Sequence, residues 1–407
     1  MASLRERLAE LSSTRGARAV AGSRPLQPVA AERRAGVAAR EQVFPLDCRR
    51  WLPELRPADP RGAQLISNFK FEISDISDWI FLDVETTGLA GGTGTYAFLV
   101  GLGWLAPEGF YVRQYFLRDL AAEGELLEQV AEQLLGDKLL VTYNGKLFDA
   151  PLLDTRYRLA RKPSPLEALP HLDLLYPARR LWKPRFGTAR LLELERGLLG
   201  HEREDDVPGE LIPHLYFDFL RSGNERRLEA VFRHNADDLV TLAALAARLL
   251  ALAAAPEETH EDSLELAGLA RLFERADEPE RAAALYEQAL TDHLPEESAR
   301  AARLRLSFLY KRRREYESAA ALWRELADDR SPADRIALIA LEQLAICYEH
   351  YLGEPEEAAK ATRRALQVLD SALAAEREGR RGRFMYRLQR LKRKQANLIR
   401  RQECLRH

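Results

Sequence analysis

At 407 residues the chain is long enough for two or three domains, and with 46% hydrophobic residues, 30% charged residues and a formal net charge of −2 it has the composition of a soluble globular protein. No apolar run reaches the ~20 residues of a membrane-spanning helix, and Arg5, Glu6, Arg7 and Glu10 stand where a signal peptide has its apolar core. Cys48, Cys347 and Cys404 lie far apart without metal-ligand spacing, which points to a reducing cytoplasm and away from a disulfide framework.

Residues 1–40, rich in Ala, Arg, Ser and Gly, read as a mobile arm, and residues 41–75, with Phe44, Trp51, Leu52 and Leu55, as an ordered lead-in. Residues 79–85 form a first strand, and Gly88, Gly91, Gly92 and Gly94 follow it as a turn that lacks the Gly-Lys-Ser/Thr ending of a phosphate-binding loop. Strands over 96–105 and 110–117 pair as a hairpin across Pro107-Glu108-Gly109. Leu126, Leu127, Val130 and Leu134 have helical spacing, residues 138–143 form a fourth strand, and a helix runs from about Phe148 to Leu159. His171–Leu175 is a fifth short strand, and residues 187–252 are mainly helical. Strands followed by alternating helix and strand predict a mixed five-stranded sheet with helices on its faces, over residues 76–255.

Beyond Pro256 and the acidic run Glu257–Asp262 the chain is all helix and repeats itself. Ala282, Ala319 and Ala358, in similar strings, are 37 and 39 residues apart, close to the ~34-residue tetratricopeptide period. Residues 256–407 therefore read as a tetratricopeptide-like domain with a possible role in protein recruitment, its Ala and aromatic positions serving packing. From Glu376 to His407 there are twelve Lys/Arg and three Asp/Glu, with Phe384 and Tyr386 interleaved; this basic end is either a nucleic-acid contact or the solvated face of a capping helix.

Asp83 and Glu85 close the first strand on the same face, an arrangement that makes sense if a divalent cation neutralises both. Asp149 follows Asn144-Gly145-Lys146-Leu147-Phe148 at a strand-helix junction, where the helix dipole by itself favours an acid. His234 and Asp238 share one face of a long helix. Lys146 is either a phosphate contact or a surface lysine. Arg179, Arg180, Lys183 and Arg185 around Trp182 form either a nucleic-acid track or a solvated face. Asp173 is expected to cap the following helix, and His171 to support its neighbours by packing.

Taken together, these segments resemble the DEDD superfamily of 3′→5′ exonucleases, which have an RNase H-like fold. Residues 83–89 match the D-x-E-T-T-G-L motif, Asn144, Phe148 and Asp149 match the second motif, and His234 and Asp238 match the third in part. Residues 89–101, 143–151 and 171–175 are similar to the bacterial YprB-type family of predicted exonucleases, whose members often carry C-terminal tetratricopeptide repeats. The resemblance implies a two-metal nuclease acting on DNA or RNA. Asp83, Glu85, Asp149 and Asp238 would bind two Mg²⁺ or Mn²⁺ ions. Thr86, Thr87, Leu89, Asn144, Lys146 and Phe148 would meet the substrate. His234 stands four residues before Asp238, the spacing of the subgroup with Tyr at that place, so it is either the general base or a residue that positions water or substrate; Asp237 is a competing ligand. A catalytically weak nucleic-acid-binding scaffold and a structure-specific endonuclease are the alternatives.

Overall fold

The apolar run from Trp79 to Leu82 is buried and forms the middle of a sheet. The computed structural model describes residues 36–55, 75–88, 93–256, 260–328, 335–371 and 374–404. Its strands are β1 (Val37–Phe44), β2 (Trp79–Thr86), β3 (Ala97–Ala106), β4 (Gly109–Leu117), β5 (Leu139–Thr142) and β6 (His171–Asp173). They lie in the order β1-β4-β3-β2-β5-β6. The first four pair antiparallel, and β5 and β6 join parallel on the other side of β2. The central position of β2 explains its unbroken apolar run, because both of its faces are covered.

The sheet thus has six strands where five were expected. The strand missed is β1, which pairs with β4 over its whole length. Its Arg40, Glu41 and Gln42 hide the apolar alternation, as suits an edge strand, and the Arg113 Nε–H donates across to Glu41 Oε2 at 2.7 Å. Residues 37–40 accordingly belong to the sheet and not to a mobile arm; residues 1–35 of that arm, and 56–74 of the lead-in, lie outside the described residues. β6 is also shorter than predicted. It stops at Asp173, whose carboxylate accepts the Leu175 N–H and turns the chain into a helix.

Seven helices follow in this part of the described chain: α1 (Glu123–Gln133), α2 (Asp149–Leu159), α3 (Leu175–Leu181), α4 (Lys183–Phe186), α5 (Leu191–Leu198), α6 (Ile212–Ser222) and α7 (Glu229–Ala254). Leu126, Leu127 and Val130 of α1, Leu153 and Tyr157 of α2, and Leu215, Tyr216 and Phe219 of α6 share one core with the sheet. Tyr216 stacks on Phe98 with ring centroids 4.0 Å apart and donates its hydroxyl to Leu117 O at 2.9 Å. The first turns of α7 run against β2, β3 and β4. Its later turns are Ala- and Leu-rich and buried nearly all round, as expected of an apolar helix inside a core. Trp182, which joins α3 to α4, is buried as well, so within the Arg179–Arg185 cluster it belongs to neither a nucleic-acid track nor a solvated face.

The chain divides into two compact units, Met1–His260 and Glu261–His407. The described part of the second is helical: α8 (Ser263–Arg275), α9 (Pro279–Thr291), α10 (Glu296–Arg312), α11 (Tyr316–Asp328), α12 (Arg335–Cys347), α13 (Pro355–Ser371) and α14 (Ala374–Cys404), with a π-helical turn over Tyr348–Leu352. Each helix packs on the next, and α8 with α10 and α10 with α12 also touch. Ala282, Ala319 and Ala358 are all buried, where a small side chain lets neighbouring helices approach. No helix among the described residues is long and apolar enough to cross a membrane.

Candidate active site

β2 carries Asp83 and Glu85 on one face at its C-terminal end, opposite Gly101 and Leu99 of β3. A register shift between Glu85 and Thr86 then turns the chain away after the second acid. Above this end lies α7. Its Asn235 amide donates to Asp83 Oδ2 at 2.7 Å and to the Asp83 carbonyl at 3.2 Å. Gln114 of β4 donates to Asn235 Oδ1 at 2.8 Å and to Phe232 O at 2.7 Å. Gly101 makes the close approach possible, because a Cβ there would lie 2.2 Å from Asn235 Oδ1. The sheet and the helix are thus locked together through the first acid.

The third acid comes from the turn after β5. Asn144 adopts φ 68°, and Asp149 opens α2. Asp173 holds this turn in shape: its carboxylate accepts the Asn144 N–H at 2.7 Å, the Lys146 N–H at 3.1 Å and the Leu175 N–H at 3.0 Å. It therefore caps the next helix, as predicted, and also ties it to the Asn144–Lys146 segment. His171 Nε2 lies 2.8 Å from Thr142 Oγ1, and burial, followed by the charge of Lys146, pulls its pKa down to about 4. Both residues support the site from beneath.

α7 supplies the remaining groups. His234 Nε2 stands 3.6 Å from Asp238 Oδ2 and 4.0 Å from Glu85 Oε1. Its Nδ1 lies 2.8 Å from Asp206 Oδ1. Arg203 donates to Asp238 Oδ1 at 2.5 Å and to Glu195 Oε2 at 2.6 Å, and reaches Asp206 Oδ2 at 3.6 Å. Asp237 points elsewhere, to Arg49 Nη2 at 2.6 Å. Between the two adjacent acids it is Asp238 that faces His234.

The electrostatics mark this cluster. Burial raises Asp83 well above the usual carboxylate range, and the charges of Asp238 and Asp149 add to it. Burial, then Asp83, pushes Glu85 up to about 8. Burial likewise pushes Asp149 up to about 7, with Glu85 and Asp238 contributing. Burial opposes a charged His234, but the hydrogen bond to Asp206 and the charges of Asp238 and Glu85 outweigh it, and its pKa rises to about 10. Four carboxylates that repel one another out of water are a donor set suited to hard divalent cations. Among the described residues no three His, Cys, Asp or Glu side chains form a group that could hold a metal ion as they stand.

Of the residues expected to meet substrate, Thr86 donates its hydroxyl to Gly88 O at 2.8 Å, and Thr87 Oγ1 accepts the Tyr96 N–H at 2.9 Å, so both brace the start of the glycine turn. Leu89 lies outside the described residues. Phe148 is 57% exposed and Lys146 is also exposed, both just before Asp149. Sequence reasoning missed the roles of Gln114, Glu195, Arg203 and Asp206. The dense charge of His201-Glu202-Arg203-Glu204-Asp205-Asp206 was a visible signal, but nothing in it names His234 as a partner.

An antiparallel group extended by parallel strands, with acids at the end of the central strand and on the covering helices, defines a protein of the RNase H class. Residues 80–250 match the model of the RNase_H superfamily. The chain is 34% identical over 323 residues to an uncharacterized protein, YprB, of Bacillus subtilis (strain 168), across 78% of this chain and 75% of that one. It belongs to the same family as YprB, within the RNase H superfamily.

Proposed function

We propose that the chain is a metal-dependent 3′→5′ exonuclease acting on DNA or RNA, with its chemistry in residues 76–255. One observation carries the reading. Asp83, Glu85, Asp149 and Asp238 come together from a strand, a helix start and a second helix, where burial and the neighbouring charges raise Asp83, Glu85 and Asp149, beside a histidine whose far nitrogen is held. These four carboxylates would hold two Mg²⁺ or Mn²⁺ ions, which when bound lower the pKa of water and stabilise the leaving oxygen at phosphorus.

The chain's own residues account for the rest. Asp206 fixes the His234 ring so that Nε2 faces the carboxylates, where it can accept a proton from the attacking water. In the metal-free protein His234 holds its proton partly through the charges of Asp238 and Glu85. Neutralising those two acids weakens that hold and returns the ring toward a working base. Phe148 offers an exposed ring to a terminal base, and Lys146 a cation to a phosphate. The helices of residues 256–407 we read as tetratricopeptide-like repeats that recruit a protein partner or extend the substrate track.

The test is a panel of end-labelled single- and double-stranded DNA and RNA with Mg²⁺ or Mn²⁺, comparing the wild type with Asp83→Ala. A stepwise ladder from 3′ ends, lost in the variant, is the expected result. Internal cuts would replace the exonuclease reading with an endonuclease. Binding without degradation by either protein would leave a scaffold.

A further inference from the structure

α14 has a lopsided charge. Between Arg381 and Ala396 it carries Arg381, Arg383, Arg387, Arg390, Lys392, Arg393 and Lys394, and no acid. Its buried stripe is Phe384 and Leu391, which join the core formed with α11, α12 and α13. That stripe fixes how the rest of the helix faces. Arg383, Arg387, Arg390 and Lys394 follow one another at spacings of three and four, Tyr386 stands three after Arg383 and four before Arg390, and the five so share a flank. Phe384, read from sequence as an aromatic within the basic patch, is therefore a core residue, and Tyr386, 68% exposed, is the aromatic that remains on the flank.

Three of these cations converge on a single acid. The side chain of Glu349 is fully buried, with its Oε2 2.6 Å from Arg390 Nη2 and 3.8 Å from Arg387 Nε, and its Oε1 3.1 Å from Lys394 Nζ. Glu342 is the other acid acting on Arg387. Among the described residues Glu349 thus meets Arg387, Arg390 and Lys394 and Glu342 acts on Arg387, so the cations of the flank outnumber the described acids that face them. The cost shows at Arg387, whose pKa is lowered by burial first and also by the crowding of Arg390 and Arg383. A polyanion relieves that crowding. Because Glu349 already anchors the guanidinium groups, little side-chain freedom remains to be lost on binding.

We propose that this flank of α14 binds the sugar-phosphate backbone of single-stranded nucleic acid, with Tyr386 stacked on a base. From Arg383 to Lys394 the helix rises about 16 Å at ~1.5 Å per residue, room for several phosphates. An exposed aromatic amid arginines suits unpaired bases, which offer their faces for stacking.

The experiment measures anisotropy of labelled single-stranded and duplex oligonucleotides on the full chain in EDTA. Nothing is then degraded, and the result does not depend on the catalytic reading. Arg387, Arg390 and Lys394 are left intact because they satisfy Glu349. Arg383→Gln/Arg393→Gln, two exposed positions, the second two turns beyond Tyr386 on the same edge of the helix, is expected to weaken single-strand binding about fivefold or more and to flatten the slope of log K against log salt by about 1.4, at ~0.7 per lost phosphate contact. Tyr386→Ala is expected to weaken single-strand binding by about fivefold or more and duplex binding much less. Unchanged thermal melts would show that the fold is intact. Affinities and salt slope that do not move in the two variants overturn the proposal. So does equally tight binding to acidic phospholipid vesicles or polyglutamate that is lost in the same variants, since the flank would then be a general polyanion surface.

Discussion

Asn235 donates its side-chain amide to Asp83 Oδ2 at 2.7 Å, and this bond joins α7 to the end of β2. Asn235 is fully buried and is itself held by Gln114 at 2.8 Å, so it cannot follow Asp83 if the carboxylate moves. Asn235→Ala leaves a buried carboxylate without its donor. Leaving a buried polar group unsatisfied costs about 1–3 kcal/mol, and a loss of about 2 kcal/mol of unfolding free energy is expected in urea titrations. Gly101→Ala should lose at least as much, because its methyl group would sit where Asn235 Oδ1 now lies. A pair of variants as stable as the wild type would show that the amide is incidental.

Arg203 ties three elements together. It lies between Glu195 of α5 and Asp238 of α7, at 2.6 Å and 2.5 Å, with Asp206 at 3.6 Å. Its partner Glu195 is completely buried, and burial raises that carboxyl against the pull of Arg203 and Arg49. Arg203→Met removes one side of this network and strands the other. Breaking a buried ion pair from one side costs about 3–5 kcal/mol, and the variant should unfold at correspondingly lower urea. The double variant Arg203→Met/Glu195→Leu should recover part of that loss. Failure to recover any of it would mean that Arg203 acts mainly through Asp238 and Asp206.

The contrast between these residues and the acids explains what could be read beforehand. Asp83 and Glu85 follow from the two-residue period of a strand, and His234 with Asp238 from the turn of a helix; local geometry places each pair. Asp206 lies 28 residues from His234, and Arg203 lies 35 from Asp238, in a loop with no period of its own, so only the folded chain pairs them. β1 escaped because its polar residues satisfy an edge and bury little. Trp182 and Phe384 show the opposite case: each stands among arginines in the sequence, and only packing shows it to be core.

The acids should couple stability to pH and to metal. Glu85 rises from 4.5 to about 8 and Asp149 from 3.8 to about 7 in the folded, metal-free chain. A raised folded pKa favours the protonated fold, so this contribution is complete below the unfolded values and is lost as pH climbs through 7 and 8. His234, raised from 6.5 to about 10, acts in the same direction over a higher window. The metal-free protein should therefore melt at a lower temperature near pH 8 than near pH 5.5. Mn²⁺ should stabilise it more at the higher pH, where protons no longer compete for the carboxylates. At a hundredfold excess over Kd the gain is about 2.7 kcal/mol, a shift of roughly 5–10 °C. An equal Mn²⁺ shift at both pH values, or none at either, would count against a site built from these groups.

Asp206 and His234 offer a test that separates orientation from mere charge. The two are 2.8 Å apart, and Asp206 is held below its ordinary pKa: burial works against this, but the His234 hydrogen bond and charge and the Arg203 charge outweigh it. Asp206→Asn keeps the shape and removes the carboxylate, so Nδ1 can face a carbonyl oxygen or an amide N–H and the ring loses its preferred state. In the metal-free protein the His234 titration, followed by NMR, should move down from about 10, because the Asp206 hydrogen bond is the largest cause that raises it. In the metal-loaded protein kcat should fall by about a hundredfold with little change in KM, the scale of a positioned general base. If His234 only positions substrate, the same variant should instead raise KM and leave kcat nearly intact. That outcome would settle its spacing from Asp238 in favour of a positioning role.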